Sequence, residues 1–365
     1  MKILWISGRR MGSDMASSTE DSLCSHLSSK GHEICLISPG DINQANYHHV
    51  PIKDIRFPGL TSISGARDAC RTIREMEISG YDFILIDWRY VSTMRKLIRD
   101  FTKPWSIIDR GPPSNLGPLN KLQKWYWKNA WKFADLESVG GLVVSKKHGD
   151  FVRGLTQFSK PLFVLPAGAG DNKFRIEKED PRVELKLAYV GMLDRRRDVR
   201  RIIELSSKIE KKEINHHIFI CGEGDMEGEI RQTVVGEKNI SFLGKINHND
   251  VQELLSVCHV GILPMPDIPI WRISSTLKLA EYLAAGLAVV GPDHPGNRIS
   301  EMGKCNLLEK EDWVNKSAER LCIEVNRGWS GIVESATNAS RTLSWESISD
   351  RMVEKIESWR IAISS

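Results

Sequence analysis

No stretch of the 365 residues approaches the ~20 consecutive apolar residues of a membrane span, so a spanning helix is not expected. The opening Met-Lys-Ile-Leu-Trp-Ile-Ser run is seven residues long before Gly8. It is short for the apolar part of a secretory signal and lacks a cleavage pattern, so a cytoplasmic protein is expected. Cysteine is sparse and scattered, at 24, 35, 70, 221, 258, 305 and 322, with no C-x-x-C pair. That argues against a zinc ribbon or a thioredoxin-type site and for reduced, mostly buried thiols. Excess charge is lacking too: 51 Lys+Arg against 47 Asp+Glu leave a net +4, which argues against a dedicated nucleic-acid binder. There are no short repeats and no low-complexity tract. What is present is an ordinary globular composition, 41% hydrophobic and 27% charged, which excludes disorder. At ~150 residues per domain the length suggests two domains. Eleven Trp are many, and the arginines cluster.

Short runs rich in Ile, Leu and Val alternate with helix-length amphipathic stretches. In the first half the runs are Lys2–Ser7, Glu33–Ser38, Phe83–Asp87, Trp105–Asp109, Gly141–Ser145 and Pro161–Leu165. Helices are predicted over Thr19–Lys30, Ala66–Glu77, Val91–Phe101 and Leu119–Phe133. Continuous apolar character marks strands buried on both faces, as in a parallel sheet, and the alternation is that of a doubly wound α/β domain. Residues 167–184 lose the periodicity and read as a linker. The rhythm restarts with strands predicted at Leu185–Val190, His217–Cys221, Ile240–Leu243, His259–Leu263, Ala288–Gly291 and Asn306–Leu308. Helices are predicted at Arg200–Glu210, Asp225–Val235, Asp250–Ser256, Thr276–Ala285, Trp313–Val325 and Ser344–Ile361. The expected division is 1–166, a linker at 167–184, 185–340, and a last helix within 341–365.

Ligands of open α/β sheets bind beyond the carboxyl ends of the strands. After Leu185–Val190 come Gly191 and then Arg195, Arg196, Arg197, Arg200 and Arg201, a run suited to phosphate oxygens or to a solvated helix face. After His217–Cys221 comes Gly222-Glu223-Gly224, a tight turn or a ligand contact. After His259–Leu263 come two prolines, then Ser274-Ser275-Thr276-Leu277-Lys278 and Glu281. Ser274 or Ser275 can cap a helix whose first turn offers N–H groups, and Lys278 and Glu281 share a face three residues apart. Lys278 and Glu281 read either as a surface ion pair or as groups for a phosphate and for paired sugar hydroxyls.

The stretch Lys278-Leu279-Ala280-Glu281-Tyr282-Leu283-Ala284-Ala285-Gly286-Leu287-Ala288-Val289-Val290 resembles the "K-L-x-E-Y-x-A-x-G-x-P-V-V" motif of the retaining glycosyltransferases of family 4, also called group 1. Tyr189-Val190-Gly191 with the Arg run resembles "V-G-R-L-x-x-x-K-G". Ile220-Cys221-Gly222-Glu223-Gly224-Asp225 resembles "V-G-x-G-P", and Ser241-Phe242-Leu243-Gly244 resembles "v-x-F-L-G". Gly31-His32-Glu33-Ile34 is similar to the "G-H-E-V" of the first half. The resemblance is strong in 185–300 and weak in 40–135. It implies the GT-B fold: two Rossmann-like domains facing a central cleft, the C-terminal one for the nucleotide-sugar donor and the N-terminal one mainly for the acceptor. It implies a last helix that crosses back to the N-domain, no metal and no resident cofactor, with a UDP- or GDP-sugar as donor. By the same resemblance Glu281 contacts the ribose hydroxyls, Arg197 the diphosphate, and the backbone of Ser275, Thr276 and Leu277 the phosphates. Gly12 approximately matches a Gly-rich loop near the donor phosphates, where Arg9 and Arg10 add charge; Gly191, Gly222 and Glu223 complete the expected donor site. Lys278 and Arg197 are expected to stabilise the leaving diphosphate. Asp109, with Arg110, stands where relatives carry a His-Asp pair and is expected at the sugar or acceptor, or in a structural ion pair.

Two departures matter: Ile273 stands where the family's E-x7-E pattern has its first Glu, and Met192 where it has Arg. Sugar contacts then fall to Asp267 or the 293–297 loop, and Lys278 could replace some of the missing positive charge. The departures also keep open a non-catalytic sugar-nucleotide-binding protein, alongside a nucleotide-sugar epimerase. The acceptor is expected to be a glycan or a lipid-linked intermediate. The 119–133 stretch carries Lys121, Lys124 and Lys128 on one face beside Trp125, Trp127 and Trp131. It reads as a core helix with Lys stems outside, as a peripheral contact with the inner face of an anionic membrane, or as a stacking surface for an acceptor glycan.

Overall fold

The computed structural model describes residues 1–12, 17–42, 45–57, 59–113, 118–170 and 178–364, with the backbone alone at 118–119 and 363–364. By contacts the chain divides into two units, residues 1–166 with 345–365, and residues 167–344. Of the expected linker, 171–177 lie outside the described residues.

The first unit runs β1 (Lys2–Ile6), α1 (Ser17–Ser29), β2 (Glu33–Pro39), β3 (His48–Ile52), α2 (Thr61–Arg74), β4 (Phe83–Asp87), α3 (Trp88–Arg99), β5 (Trp105–Asp109), α4 (Pro118–Glu137), β6 (Gly141–Val143), α5 (Lys146–Thr156) and β7 (Leu162–Val164). The sheet is parallel, in the order β3-β2-β1-β4-β5-β6-β7. Every residue of β4 and β5 is buried, which is why these strands read as unbroken apolar runs. The edge strand β3 escapes the sequence pattern because His48-His49-Val50-Pro51-Ile52 is half exposed, and its proline is tolerated only at an edge. Helix α5 was also unexpected. Gly149 and Gly154 dilute its periodicity, but Ser145 caps it by accepting from His148 N at 3.0 Å.

The second unit runs β8 (Leu185–Val190), α6 (Arg200–Glu210), β9 (His216–Cys221), α7 (Glu227–Thr233), β10 (Ile240–Gly244), α8 (His248–Val257), β11 (Val260–Ile262), the single turn α9 (Pro269–Arg272), α10 (Leu277–Ala284), β12 (Ala288–Pro292), β13 (Asn306–Glu309), α11 (Trp313–Arg327) and α12 (Ser330–Ser340). Its parallel sheet has the order β10-β9-β8-β11-β12-β13. Helix α12, absent from the sequence reading, is rich in Ser, Thr and Gly; it forms because Ile332, Ala336 and Ala339 are buried in the unit's core. The last helix, α13 (Trp345–Ser364), belongs to the first unit, where Trp359 stacks on Phe83 with ring centroids 6.3 Å apart. The fold is α/β, two parallel sheets each flanked by helices.

Candidate functional site

In the second sheet the chain winds from β8 outward to β10, then returns to β11 and winds the other way. The switch point between β8 and β11 is where such a sheet opens a crevice at its carboxyl edge. Tyr282 of α10 spans it, accepting from Val190 N at 3.1 Å. Gly191 follows β8, and its N–H donates to Cys221 O at 2.9 Å; Gly222 N donates to Gly244 O at 2.8 Å. The turns after β8, β9 and β10 are thus zipped beyond the strands. The Arg run divides there. Arg200 pairs with Glu229 and Arg201 with Glu204, while Arg195 and Arg196 are exposed. Arg197 turns inward: Asp194 accepts from its Nε at 2.8 Å, and its guanidinium lies over the Trp271 ring, 5.1 Å from the centroid.

Helix α10 aims its first turn at the same place. Its N-cap is Thr276, not Ser274 or Ser275, and no side chain caps it. Ser274 is turned back to Trp271 O, Ser275 Oγ accepts from Ala167 N, and Thr276 Oγ1 donates to Gly296 O. The first N–H groups of α10 are left for an anion. Lys278 is only 8% exposed; its Nζ donates to Tyr189 OH at 3.3 Å and sits 4.6 Å from that ring's centroid. Burial first, then the Arg197 guanidinium, push this amine well below the usual lysine range, against the pull of Asp194 and Glu281. One turn on, burial pushes the Glu281 carboxyl up to about 7, with Lys278 opposing. The ordinary surface ion pair is thereby ruled out: a buried amine and a desolvated carboxyl stand at the open end of a helix.

Sequence similarity bears on the same residues. Residues 184–323 match the family described as "Glycosyl transferases group 1". No curated protein sequence matches the chain. Among solved structures, the sucrose-phosphate synthase of Thermosynechococcus elongatus superposes with a TM-score of 0.77 at 15% identity, covering 99% of this chain and 100% of that one. WaaG, a glycosyltransferase involved in lipopolysaccharide biosynthesis, gives 0.70 at 14% identity, with 97% and 99% covered. Anabaena HepE in complex with UDP gives 0.68 at 15%, with 98% and 100% covered. The fold, α/β with two parallel sheets, is that of these structures, GT-B.

Met192, in place of the family's Arg, is exposed, while Lys278 fills the space beside Gly191: a Cβ on Gly191 would lie 2.3 Å from Lys278 Nζ. Two participants escaped the sequence reading, Tyr189 and Trp271. The first was hidden as a strand residue; the second was signalled only as an aromatic beside Arg272. The residues expected to replace the missing Glu are engaged elsewhere. Asp267 pairs with Arg272 and Asp293 with Arg298, while buried His294 and Asn297 bind the backbone of Met265 and Pro292. Glu223 is exposed and pairs with Lys245 at 2.6 Å.

Gly12 and Asp109 lie in the first unit. Gly12 has φ +74° and follows Met11, whose N–H donates to Pro39 O. The neighbouring arginines are matched already, Arg9 facing buried Glu20 at 3.5 Å and Arg10 bound to Asp54. Asp109 corrects the expectation of a sugar or acceptor contact. Its carboxylate is fully buried, accepting from Trp127 Nε1 at 2.6 Å, Trp131 Nε1 at 3.0 Å and Gly111 N at 2.8 Å, with His148 Nε2 at 3.5 Å. Burial alone would raise it, but His148 and these donors hold it below the usual carboxylate range. It is a core clamp on α4, since no face is left for a substrate. Arg110 likewise donates to Leu165 O. Asp109→Ala should cost about 3 kcal/mol at neutral pH, because two buried indole N–H groups lose their acceptor. A carboxyl lowered on folding stabilises fully above about pH 4 and loses that contribution as pH falls through its folded value. Denaturant titrations at pH 7 and pH 3 should therefore find a smaller wild-type advantage at pH 3 than at pH 7.

Proposed function

We propose that the protein is a retaining glycosyltransferase that moves a sugar from a nucleoside-diphosphate sugar to a hydroxyl of a glycan or lipid-linked acceptor. The observation that carries the reading is the uncapped start of α10 at the β8/β11 switch point, with Lys278, Arg197 and Glu281 beside it. Transfer breaks the bond from the anomeric carbon to the diphosphate, and negative charge grows on the leaving phosphate. Fixed N–H groups, a guanidinium and an amine in a desolvated place stabilise that charge with little reorganisation. The proposed roles are Arg197 and Lys278 on the diphosphate, Ser275, Thr276 and Leu277 through their backbone, and Glu281 accepting from the ribose hydroxyls. Gly191 and Gly222 let the backbone approach, and Gly12 and Glu223 are assigned to the donor by family resemblance alone. The HepE complexes with UDP and with UDP-glucose support a UDP-sugar, with GDP as the other base to test. No resident cofactor is proposed, and the protein would work at the inner face of a membrane when its acceptor is lipid-linked. Among the described residues no helix is long and apolar enough to cross a membrane.

Calorimetry with UDP and GDP tests the site. Glu281→Ala and Arg197→Ala should each weaken binding of the preferred nucleotide about 10- to 100-fold, the loss of one or two charge-assisted hydrogen bonds. Unchanged affinity in both would overturn the assignment. Donor binding with no turnover across a panel of nucleotide sugars and acceptors, membranes included, would favour the non-catalytic alternative suggested by Ile273.

A further inference from the structure

Two segments of the first unit present large apolar side chains to water, and donor binding uses neither. One is the loop from β3 to α2, with Ile55 59%, Phe57 60% and Leu60 47% exposed. The other is the start of α4, with Leu122 58% and Trp125 62% exposed. Phe57 and Trp125 are the two aromatic residues among the exposed large hydrophobics of the described chain. The presentation is built in. The loop is pinned to α2, since Lys53 N donates to Asp68 at 2.7 Å and Ile55 N to Ser64 Oγ at 2.9 Å. The rotation of α4 is set by Asp109, which accepts from Trp127 and Trp131. With those rings in the core, helical geometry turns Lys121, Trp125, Lys128 and Lys132 outward.

Sheet topology brings the two segments to one rim. Helices α2 and α4 follow the carboxyl ends of β3 and β5, and both crossovers advance in the same direction along the sheet. Right-handed crossovers in one direction put their helices on one face, as the α2–α3 and α3–α4 packing bears out. The exposed charges of the two segments have one sign, and Asp68 beside the loop is paired with Arg71. Lys53, Arg56, Lys121 and Lys124 are exposed, and the one acid in 53–60 or 118–132, Asp54, is held by Arg10. Protruding aromatic and aliphatic tips ringed by basic side chains match a bilayer interface, with rings at headgroup depth and lysines on lipid phosphates. A symmetric pairing with a second copy would set like charges against each other.

We propose that this rim of the first unit, Ile55, Phe57 and Leu60 with the Lys121–Trp125 turn, docks on an anionic lipid surface. The docking goes beyond the transfer reading and stands or falls apart from it, because nucleotide binding by the same preparation reports on the latter. The test is co-sedimentation of the full chain with phosphatidylcholine vesicles, with and without about 30% phosphatidylglycerol. Binding should require the anionic lipid and fall as salt is raised. Lys121→Gln with Lys124→Gln should weaken it about twenty-five-fold, roughly fivefold per lysine. Phe57→Ser with Trp125→Ser should weaken it at least tenfold, with UDP binding unchanged in both double variants. Absence of binding, equal binding to neutral vesicles, or wild-type binding by both double variants would overturn the proposal. Self-association that Trp125→Ser abolishes, in the absence of vesicles, would assign the rim to a second copy instead.

Discussion

Lys278→Met is expected to leave the protein at least as stable as the parent while cutting turnover about a thousandfold. The two effects have one cause. The amine is buried beside Arg197 with a tyrosine hydroxyl as its hydrogen-bond partner, so burial penalises the charge it carries freely in the unfolded chain. A methionine of similar volume removes that cost, and replacing a buried charged group by an apolar one is typically neutral or stabilising. The lost positive charge would act on the leaving diphosphate, where deleting one well-placed group typically costs 10²–10³ in rate. The sign against pH follows from linkage. A lysine lowered on folding makes the wild type gain stability as pH rises from the lowered folded value toward 10.5, and Lys278→Met should lack that rise. Melting temperatures across that range, with initial rates of transfer, check both halves. A variant that is less stable but fully active would overturn the role given to Lys278.

Gly222→Ala should cost about 5 kcal/mol, comparable with the whole stability of many domains. The added Cβ would lie 1.8 Å from Gly191 O, at φ +147°, and a backbone oxygen cannot swing aside as a side-chain tip can. The displaced turn is the one that seats Lys278, so any folded remainder should also lose nucleotide affinity. Gly228→Ala is the matched control: it lies in α7 with nothing within 4 Å of the new Cβ, and should be neutral or gain about 0.5–1 kcal/mol. Denaturant unfolding of the pair separates a close backbone approach from a general sensitivity of the unit to alanine.

Much of this architecture was legible as pattern. Phe83–Asp87, Trp105–Asp109, Leu185–Val190 and Arg200–Glu210 begin and end where apolar runs or amphipathic spacing say they should. Hydrophobic periodicity is a local property, and these elements are buried on the faces that their own sequences present. Besides α5, whose glycines dilute its pattern, the failures were elements whose identity depends on neighbours: the edge strand β3, and α12, which is a helix because other parts of the chain cover one side of it.

The site divides in the same way. Lys278 and Glu281 were visible together because they are one helical turn apart. That Lys278 rests on Tyr189, 89 residues away, was not visible; Arg197 was singled out among five arginines by family resemblance, and packing turns it onto Asp194 and the Trp271 ring. Asp109 read either as a ligand contact or as part of a structural ion pair; tertiary packing made it a clamp by bringing two indoles and an imidazole onto it. The same clamp decided which face of the Trp-rich helix meets water, a choice its composition left open. Sequence alone determined the order and kind of the elements, since these follow from contacts between near neighbours. Only the tertiary structure decided which charges are desolvated and where they point, because desolvation is imposed by residues distant in the chain.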